Sequence, residues 1–319
     1  MAELRPYRSG DTPLLAAVWN ACFQHGPAFV RLGEADLRRR VMDQPAFDSS
    51  SLLLATVGDR VLGFSHWGPR LEWEGGAHWA PGDSDEGHVY ALVAPSHELS
   101  LTEELLAMAE EKLRERGARR VLLGPSWVCG VQPFYNGIAG AYEMPGLSAA
   151  RESVLLAAEG RGYRTCAEYG TPELDLSGPA PLDHLSAALR RLREQARELG
   201  LTVRSRPIEM RFFPKRLLVE LAKGRKVVAT TAYGLWPEYE REHHLRMYGL
   251  TSVQVAPDWR GKGLGKLVMI EAMEAARREG AEAVHLHVWR GNEPAWNLYH
   301  RALGFAPGRR WVTLEKQVG

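Results

Sequence analysis

The chain repeats itself, and this constrains its fold more than any other property. Val93-Ala-Pro-Ser-His-Glu-Leu-Ser-Leu101 precedes an amphipathic run, TEELLAMAEEKLRERGARRVLL. Val255-Ala-Pro-Asp-Trp-Arg-Gly-Lys-Gly263 precedes a matching run, LGKLVMIEAMEAARREGAEAVHL. The blocks align without a gap at an offset of 162 until near the helix end. Upstream, GDRVLGFSHWG from Gly58 matches GRKVVATTAYG from Gly224. Downstream, Gly162-Tyr163 matches Gly304-Phe305. Each match is weak alone, but their shared order defines a tandem duplication.

Each copy reads as strands around one central helix. In the first, 52–57 and 60–67 are strands joined by Gly58-Asp59, a hairpin signal. A strand at 88–94, a helix at 102–116 with Leu105, Leu106, Ala109 and Leu113 on one face, and a strand at 119–123 follow. The second copy predicts strands at 217–222, 226–233, 249–256 and 283–289, with a helix at 264–279. A strand–helix–strand unit implies two neighbouring parallel strands. Ser177-Gly-Pro-Ala-Pro181 is a linker-like break, so the copies divide as 1–178 and 179–319. A basic helix at 182–199 follows, read as a solvated helix packed through Leu182, Leu185, Leu189 and Leu192.

Composition narrows the classes. The 319 residues fit two domains at about 100–200 residues each, and 45% apolar with 25% charged residues is ordinary globular usage. Forty Lys+Arg against 39 Asp+Glu argue against a general nucleic-acid binder. No run of apolar residues is long enough for a transmembrane helix, and MAELRPYRSGD lacks a signal's apolar core, so a cytoplasmic location without membrane association is expected. Cys22, Cys129 and Cys166 are odd in number and lack a C-x-x-C spacing, giving neither a disulfide framework nor a zinc site.

The motif that carries chemistry is Arg260-Gly261-Lys262-Gly263-Leu264-Gly265, between a strand and a helix. Glycines let the backbone turn tightly and approach an anion, and the helix N-terminus adds positive potential. Lys262 and Lys266 add charge at the rim. The spacing is neither a Walker loop nor a Rossmann fingerprint.

In context, V-x-P-x-x-R-G-x-G-x-G resembles motif A of the GNAT superfamily of acyl-CoA-dependent N-acyltransferases. Asn292-x-x-Ala295-x-x-Leu298-Tyr299-x-x-x-x-Gly304-Phe305 resembles that superfamily's second acyl-CoA block. The close match covers residues 249–306. The resemblance implies an α+β (mixed α/β) fold of two tandem GNAT-like domains. Each would be a mostly antiparallel twisted sheet with one parallel central strand pair splayed around the acyl-CoA site. It implies acetyl-CoA as co-substrate, no metal, and a small-molecule or peptide amine acceptor, in a monomer or homodimer. Val253–Val255 would offer backbone groups to the pantetheine and the thioester carbonyl. The amides of Arg260, Gly261, Lys262, Gly263, Leu264 and Gly265 would hold the pyrophosphate, and Asn292 the pantetheine arm. Tyr299 would be the general acid, since a phenol of pKa about 10 stays protonated at neutral pH and can donate to a thiolate.

The chain departs from that pattern at the base. Many relatives place a Glu, Asp or His on the strand before the motif, where this chain has Thr251 and Ser252. Glu238, Glu240, Glu242, His243 and His244, in what reads as a loop, or Tyr248, would act through water. His285-x-His287 lacks carboxylates at ligand spacing and is not read as a metal pair.

The copies are unequal. At an offset of 162, Arg260, Gly261, Gly263 and Gly265 become Glu98, Leu99, Leu101 and Glu103. Cβ atoms and negative charge both oppose a pyrophosphate. Tyr299 corresponds to Ala157. The first copy therefore reads as degenerate and non-catalytic, and the second as catalytic. The second copy in turn lacks the helices that 11–43 supply in the first, anchored by Trp19, Phe23, Leu37 and Val41. RPIEMRFFPKR is too short for two helices. The acceptor wall is expected from the first copy or a second subunit, the first copy being preferred through its loops 68–87 and 124–150, with Trp73, Trp79, Trp127, Phe134 and Tyr135. Two rival readings are a mycothiol-synthase-like tandem acetyltransferase and a non-catalytic CoA-binding regulator.

Overall fold

A hairpin, a strand, a long helix and a parallel strand follow one another twice along the chain. The computed structural model describes residues 2–26, 28–75, 78–82, 84–126, 133–143, 145–179, 181–210 and 213–319. Trp127 and Cys129 lie outside the described residues. Two compact units form, Met1–Tyr169 with Arg309–Gly319, and Gly170–Gly308.

The first unit begins with β1 (Glu3–Pro6), α1 (Thr12–Phe23) and α2 (Glu34–Leu37), which widens into a π-type turn to Met42. Strands β2 (Leu52–Val57) and β3 (Arg60–Pro69) follow, then a β4 (Leu71–Gly75)–β5 (His78–Pro81) hairpin and β6 (Glu86–Val93). Helix α3 (Leu99–Glu115), β7 (Arg120–Leu123), a short β8 (Leu147–Ser148), α4 (Glu152–Gly160) and β9 (Arg164–Asp175) complete the repeat. Gly58, at φ +57°, makes the tight β2–β3 turn. The sheet order is β1-β2-β3-β6-β7, antiparallel except for the β6–β7 pair. Leu105, Leu106 and Ala109 of α3 are fully buried in this unit's core, as the spacing predicts. Trp19, Leu37 and Val41 are buried as well. Phe134 and Tyr135, expected on a pocket-shaping loop, are also buried here: Tyr135 Oη lies 3.0 Å from His66 Nδ1 and its ring stacks on Trp19.

The second unit contains α5 (Ser186–Glu198), β10 (Thr202–Met210), β11 (Phe213–Lys223), β12 (Lys226–Leu235), α6 (Pro237–His243), β13 (Met247–Val255) and α7 (Leu264–Arg278). It continues through β14 (Ala283–His285), β15 (Val288–Trp289) and α8 (Glu293–Asn297) to the start of β16 (Ala306–Gln317). Its sheet order is β10-β11-β12-β13-β14, closed at the β14 edge by Glu173–Asp175 of β9. Again one pair, β13–β14, is parallel. Strands β10 and β11 pair as a hairpin, so the short connection holds no helix among its described residues. Leu185, Leu189 and Leu192 of the basic helical segment are buried against this core. Arg193 makes a two-pronged pair with Glu271 of α7 at 2.6 and 2.9 Å.

Two local readings are corrected. The segment 237–243 is a helix, begun by Pro237 at its first position and ended by His244 at φ +53°. The strand expected at 283–289 breaks between His285 and Val288. Helix α8 is followed directly by a π-type turn, Leu298–Ala302. The units also cut across the division at 178. β16 begins in the second unit, but from Arg309 onward it belongs to the first, where Leu314–Gln317 pair antiparallel with Leu123–Arg120. Arg120 bonds Glu315, and Lys316 Nζ lies 2.8 Å from Glu110. Pairing partners this distant leave no mark on the local pattern of a strand.

Leu314 is 6% exposed in the first unit's core. Leu314→Ala should therefore cost about 2–5 kcal/mol and raise hydrogen exchange at β7. Raised exchange at β13 with β7 unchanged would show that the tail belongs to the second unit.

Candidate active site

The site begins where a pairing stops. β13 and β14 are hydrogen-bonded in parallel only from Met247–Gly249 to Ala283–His285, and Leu250–Val255 run on past the last paired residue. On its other side β13 stays paired with β12, through a bulge between Ala232↔Thr251 and Thr230↔Gln254. Ser252 sits in that bulge at φ +56°, a conformation a residue with a Cβ adopts rarely. After it, Val253 and Val255 are half-buried and line a cleft of about 1120 Å³ in the gap.

One end of the cleft is the glycine-rich turn. Gly261 and Gly263 take φ +76° and +72° on either side of Lys262, an arrangement that turns successive N–H groups toward one point. The first helical acceptor is Gly263 O, which takes the Leu267 N–H at 3.0 Å. Among the described residues no backbone acceptor takes the N–H groups of Gly261 through Lys266. Arg260 differs: its amide donates to Pro257 O at 3.2 Å, and its Nε to Val255 O at 3.2 Å. The cradle therefore starts at Gly261, with Arg260 contributing a guanidinium rather than an amide. A Cβ on Gly263 would stand 2.6 Å from Leu192 Cδ2, so α5 packs against the turn from behind.

Cations gather at this end. Lys266 and Arg260 line the cleft. Lys262 does not, but its Nζ stands 4.8 Å over the Trp259 ring, with Lys223 Nζ 5.8 Å from the same ring. None of the four has a carboxylate within ion-pair distance among the described residues. An unmatched cluster of positive charge beside open N–H groups suits a polyanion.

Asn292, Pro294, Ala295, Leu298 and Tyr299 also line the cleft. Asn292 caps α8: its Oδ1 accepts the Ala295 N–H at 3.3 Å, which leaves the Nδ2 donors for the cleft. Tyr299 lies in the π-type turn, 5% exposed. Burial pushes its pKa up to about 12, because the phenolate loses its solvation there. Its hydroxyl has no hydrogen-bond partner among the described residues, although its ring lies 6.1 Å from Phe305.

The cleft thus brings together Val253, Val255, Arg260, Gly261, Gly263, Leu264, Gly265, Asn292 and Tyr299, with Lys262 at its rim. It does not include the base candidates. Glu238 is buried on α6, Glu240 pairs with Arg246 at 3.4 Å, and His243 packs on Tyr239 at 4.1 Å. Glu242 and His244 lie at the end of α6. Tyr248 is 3% exposed; burial raises its pKa, and its Oη accepts from Arg246 Nη2 at 3.4 Å. Sequence reasoning missed Trp259, Gln254 and Thr230 as wall residues. Trp259 was findable, since it immediately precedes the glycine-rich turn; Thr230 reads as any strand threonine. The His285 ring lies tilted against Trp236, centroids 5.0 Å apart, and His287 Nδ1 lies 2.9 Å from Thr171 Oγ1.

Comparison with known proteins places this geometry. Residues 189–305 match the acetyltransferase (GNAT) family. A 57-residue stretch is 42% identical to streptothricin acetyltransferase of Streptomyces lavendulae, covering 18% of this chain and 30% of that protein. A tandem GNAT protein from the clavulanic acid biosynthesis pathway superposes with a TM-score of 0.68 at 15% identity, over 100% of this chain and 99% of that one. A GCN5-related N-acetyltransferase from Sphaerobacter thermophilus gives 0.60 at 16% identity, over 99% and 95%. Residues 189–305 are thus similar to the GNAT acetyltransferase family, and the fold resembles that of a tandem GNAT protein over the full length of the chain. The GNAT family implies an acyl-CoA co-substrate for the matched residues 189–305. No helix among the described residues is long and apolar enough to cross a membrane.

Gly265 has ordinary space for a side chain, its Cβ falling 3.5 Å from Val255 Cγ2. Gly265→Glu, which copies Glu103 of the first repeat, should leave the melting temperature nearly unchanged and weaken CoA binding at least about 100-fold. Affinity within about threefold of the parent would remove the cradle from the site.

Proposed function

We propose that the second unit transfers an acetyl group from acetyl-CoA to a primary amine, by direct attack within a ternary complex. One observation carries the reading: a single cleft is lined both by an open amide cradle ringed by cations and by a buried phenol with no hydrogen-bond partner among the described residues. The N–H groups of Gly261–Gly265 and the side chains of Arg260, Lys262 and Lys266 would hold the pyrophosphate. The β13 edge at Val253–Val255 and Asn292 Nδ2 would hold the pantetheine arm and the thioester carbonyl. The amine nitrogen bonds to the thioester carbon, the C–S bond breaks, and the sulfur takes the Tyr299 proton. The amine's surplus proton leaves through water toward Glu238, Glu240, Glu242, His243 or His244, with the Tyr248 hydroxyl able to relay it. Solvent then restores the Tyr299 proton. Similarity to an enzyme named for streptothricin supports a small-molecule acceptor over a peptide. The first unit would be non-catalytic, with Leu101 and Glu103 at the cradle positions and Ala157 at that of Tyr299.

A second reading, a CoA-binding regulator without turnover, draws on the absence of every base candidate from the cleft lining. Thiol release from acetyl-CoA against a panel of amines separates the two. Release with at least one amine, reduced about 10²–10⁴-fold in Tyr299→Phe with CoA affinity unchanged, is expected. Tight CoA binding with no release for any amine would favour the regulator, and an unchanged rate in Tyr299→Phe would remove it as the acid.

The pH–rate profile is a separate check. Because Tyr299 stays protonated up to about pH 12, it contributes no falling limb near neutrality. The rate should rise from about pH 6 to about pH 9 as the amine loses its proton. A falling limb in that range that vanishes in Tyr299→Phe would contradict the assignment.

A further inference from the structure

The first unit keeps the opening between its parallel strands but fills it with its own side chains. β6 pairs with β7 only from Glu86–Val89 to Arg120–Leu123, and Tyr90–Val93 run on, as in the second unit. A bulge falls between His66↔Ala91 and Trp67↔Val89, passing over Tyr90, the residue 162 positions before Ser252. Yet the void between the strands is only about 40 Å³, walled by Trp19, Tyr135, Trp311 and Arg151. Arg151 Nη2 donates to Leu92 O at 3.2 Å, across the gap that a pantetheine arm would need.

Beside this plug lies a cavity of about 390 Å³, within the usual range for small-molecule sites. Its walls are mainly apolar: Phe23, Phe29, Val30, Ile138 and Trp311. Arg151 also lines it, with its guanidinium carbon 4.5 Å over the Phe23 ring. No carboxylate pairs with Arg151 among the described residues; Glu152, exposed at the same cavity, makes no ion pair with it. Burial holds the Arg151 pKa below its ordinary value, at about 10, so the group is still cationic at neutral pH. The Ser153 hydroxyl, on a residue 5% exposed that lines the same cavity, has no hydrogen-bond partner among the described residues. Arg309 adds a second guanidinium to the lining and donates to Gly140 O at 2.7 Å. A guanidinium fixed on an aromatic ring, without a counter-charge and inside an apolar chamber, is costly unless an anion meets it. The planar fork matches a carboxylate, and the remaining walls match a hydrocarbon or ring.

We infer that this cavity is a binding site for a small carboxylate with an apolar or aromatic body, its carboxylate on Arg151 and its body against Phe29, Ile138 and Trp311. Acyl-CoA is not its ligand, because Arg151 closes the strand gap. The site is independent of the acetyl-transfer reading of the second unit.

Calorimetric titration of the full chain with indole-3-acetate, phenylacetate and hexanoate, each beside its uncharged primary amide, tests this. At least one carboxylate should bind, its amide at least about 10-fold more weakly, and Arg151→Gln should weaken the carboxylate by a similar factor. Saturating CoA should leave that binding unchanged. Ala150→Phe, at an exposed position on the cavity lining, should also block it without touching Arg151. This variant keeps the test decisive if Arg151→Gln does not fold. Equal binding of acid and amide, displacement by CoA, no effect of either variant, or no binding below about 10 mM would each overturn the proposal. Thiol release by the second unit in Arg151→Gln should match the parent.

Discussion

Everything chemical in this molecule depends on a parallel strand pair that is too short. Three residues of β13 meet three of β14, and then the backbones part. Past that point the N–H and C=O groups on one edge of Leu250–Val255 no longer face a strand. Unmet backbone groups seek partners, and an extended amide-bearing chain can take the place of the missing strand. The bulge at Ser252 adds the twist that opens the gap, and β12 holds the other edge rigid. The glycine-rich turn then follows at the end of the same strand. The open strand edge and the glycine-rich turn are thus placed by one continuous piece of backbone, which fixes their spacing.

The contrast between the repeats shows how little must change to reassign such a frame. Both keep the parallel pair, the bulge and the long helix. In the second, glycines at 261, 263 and 265 leave room and open donors. In the first, Leu101 is buried in the core, while Arg151, Trp19 and Tyr135 occupy the strand gap. Backbone geometry is shared because the sheet's hydrogen bonds require it, whereas the side chains that line the gap differ between the two units.

What was legible in the sequence follows the same distinction. The cradle could be read because glycines at such spacing serve few other purposes, whereas Tyr299 was singled out only through the resemblance of Asn292–Phe305 to the family's second acyl-CoA block. The α3 and α7 faces could be read from their 3.6-residue period. The occupied amide of Arg260 could not, since it depends on a one-turn helix at Pro257–Trp259. Helix α6 had its signal in Pro237, but seven residues are too few for periodicity to confirm. The π-type turn that carries Tyr299, and the break after His285, arise from packing rather than propensity. Arg151 looked like any residue before a helix; only its contact with Leu92 O across the strand gap gives it meaning.

The course of β16 bears on when each unit can be completed during synthesis. All of the second unit, Gly170–Gly308, has been made before the first unit's last strand, which begins at Arg309. Domains usually fold as they leave the ribosome, N-terminal first. Here that order is inverted: the nascent first unit must wait with β7 as a bare edge, open to wrong partners, while the unit encoded after it already has its full chain.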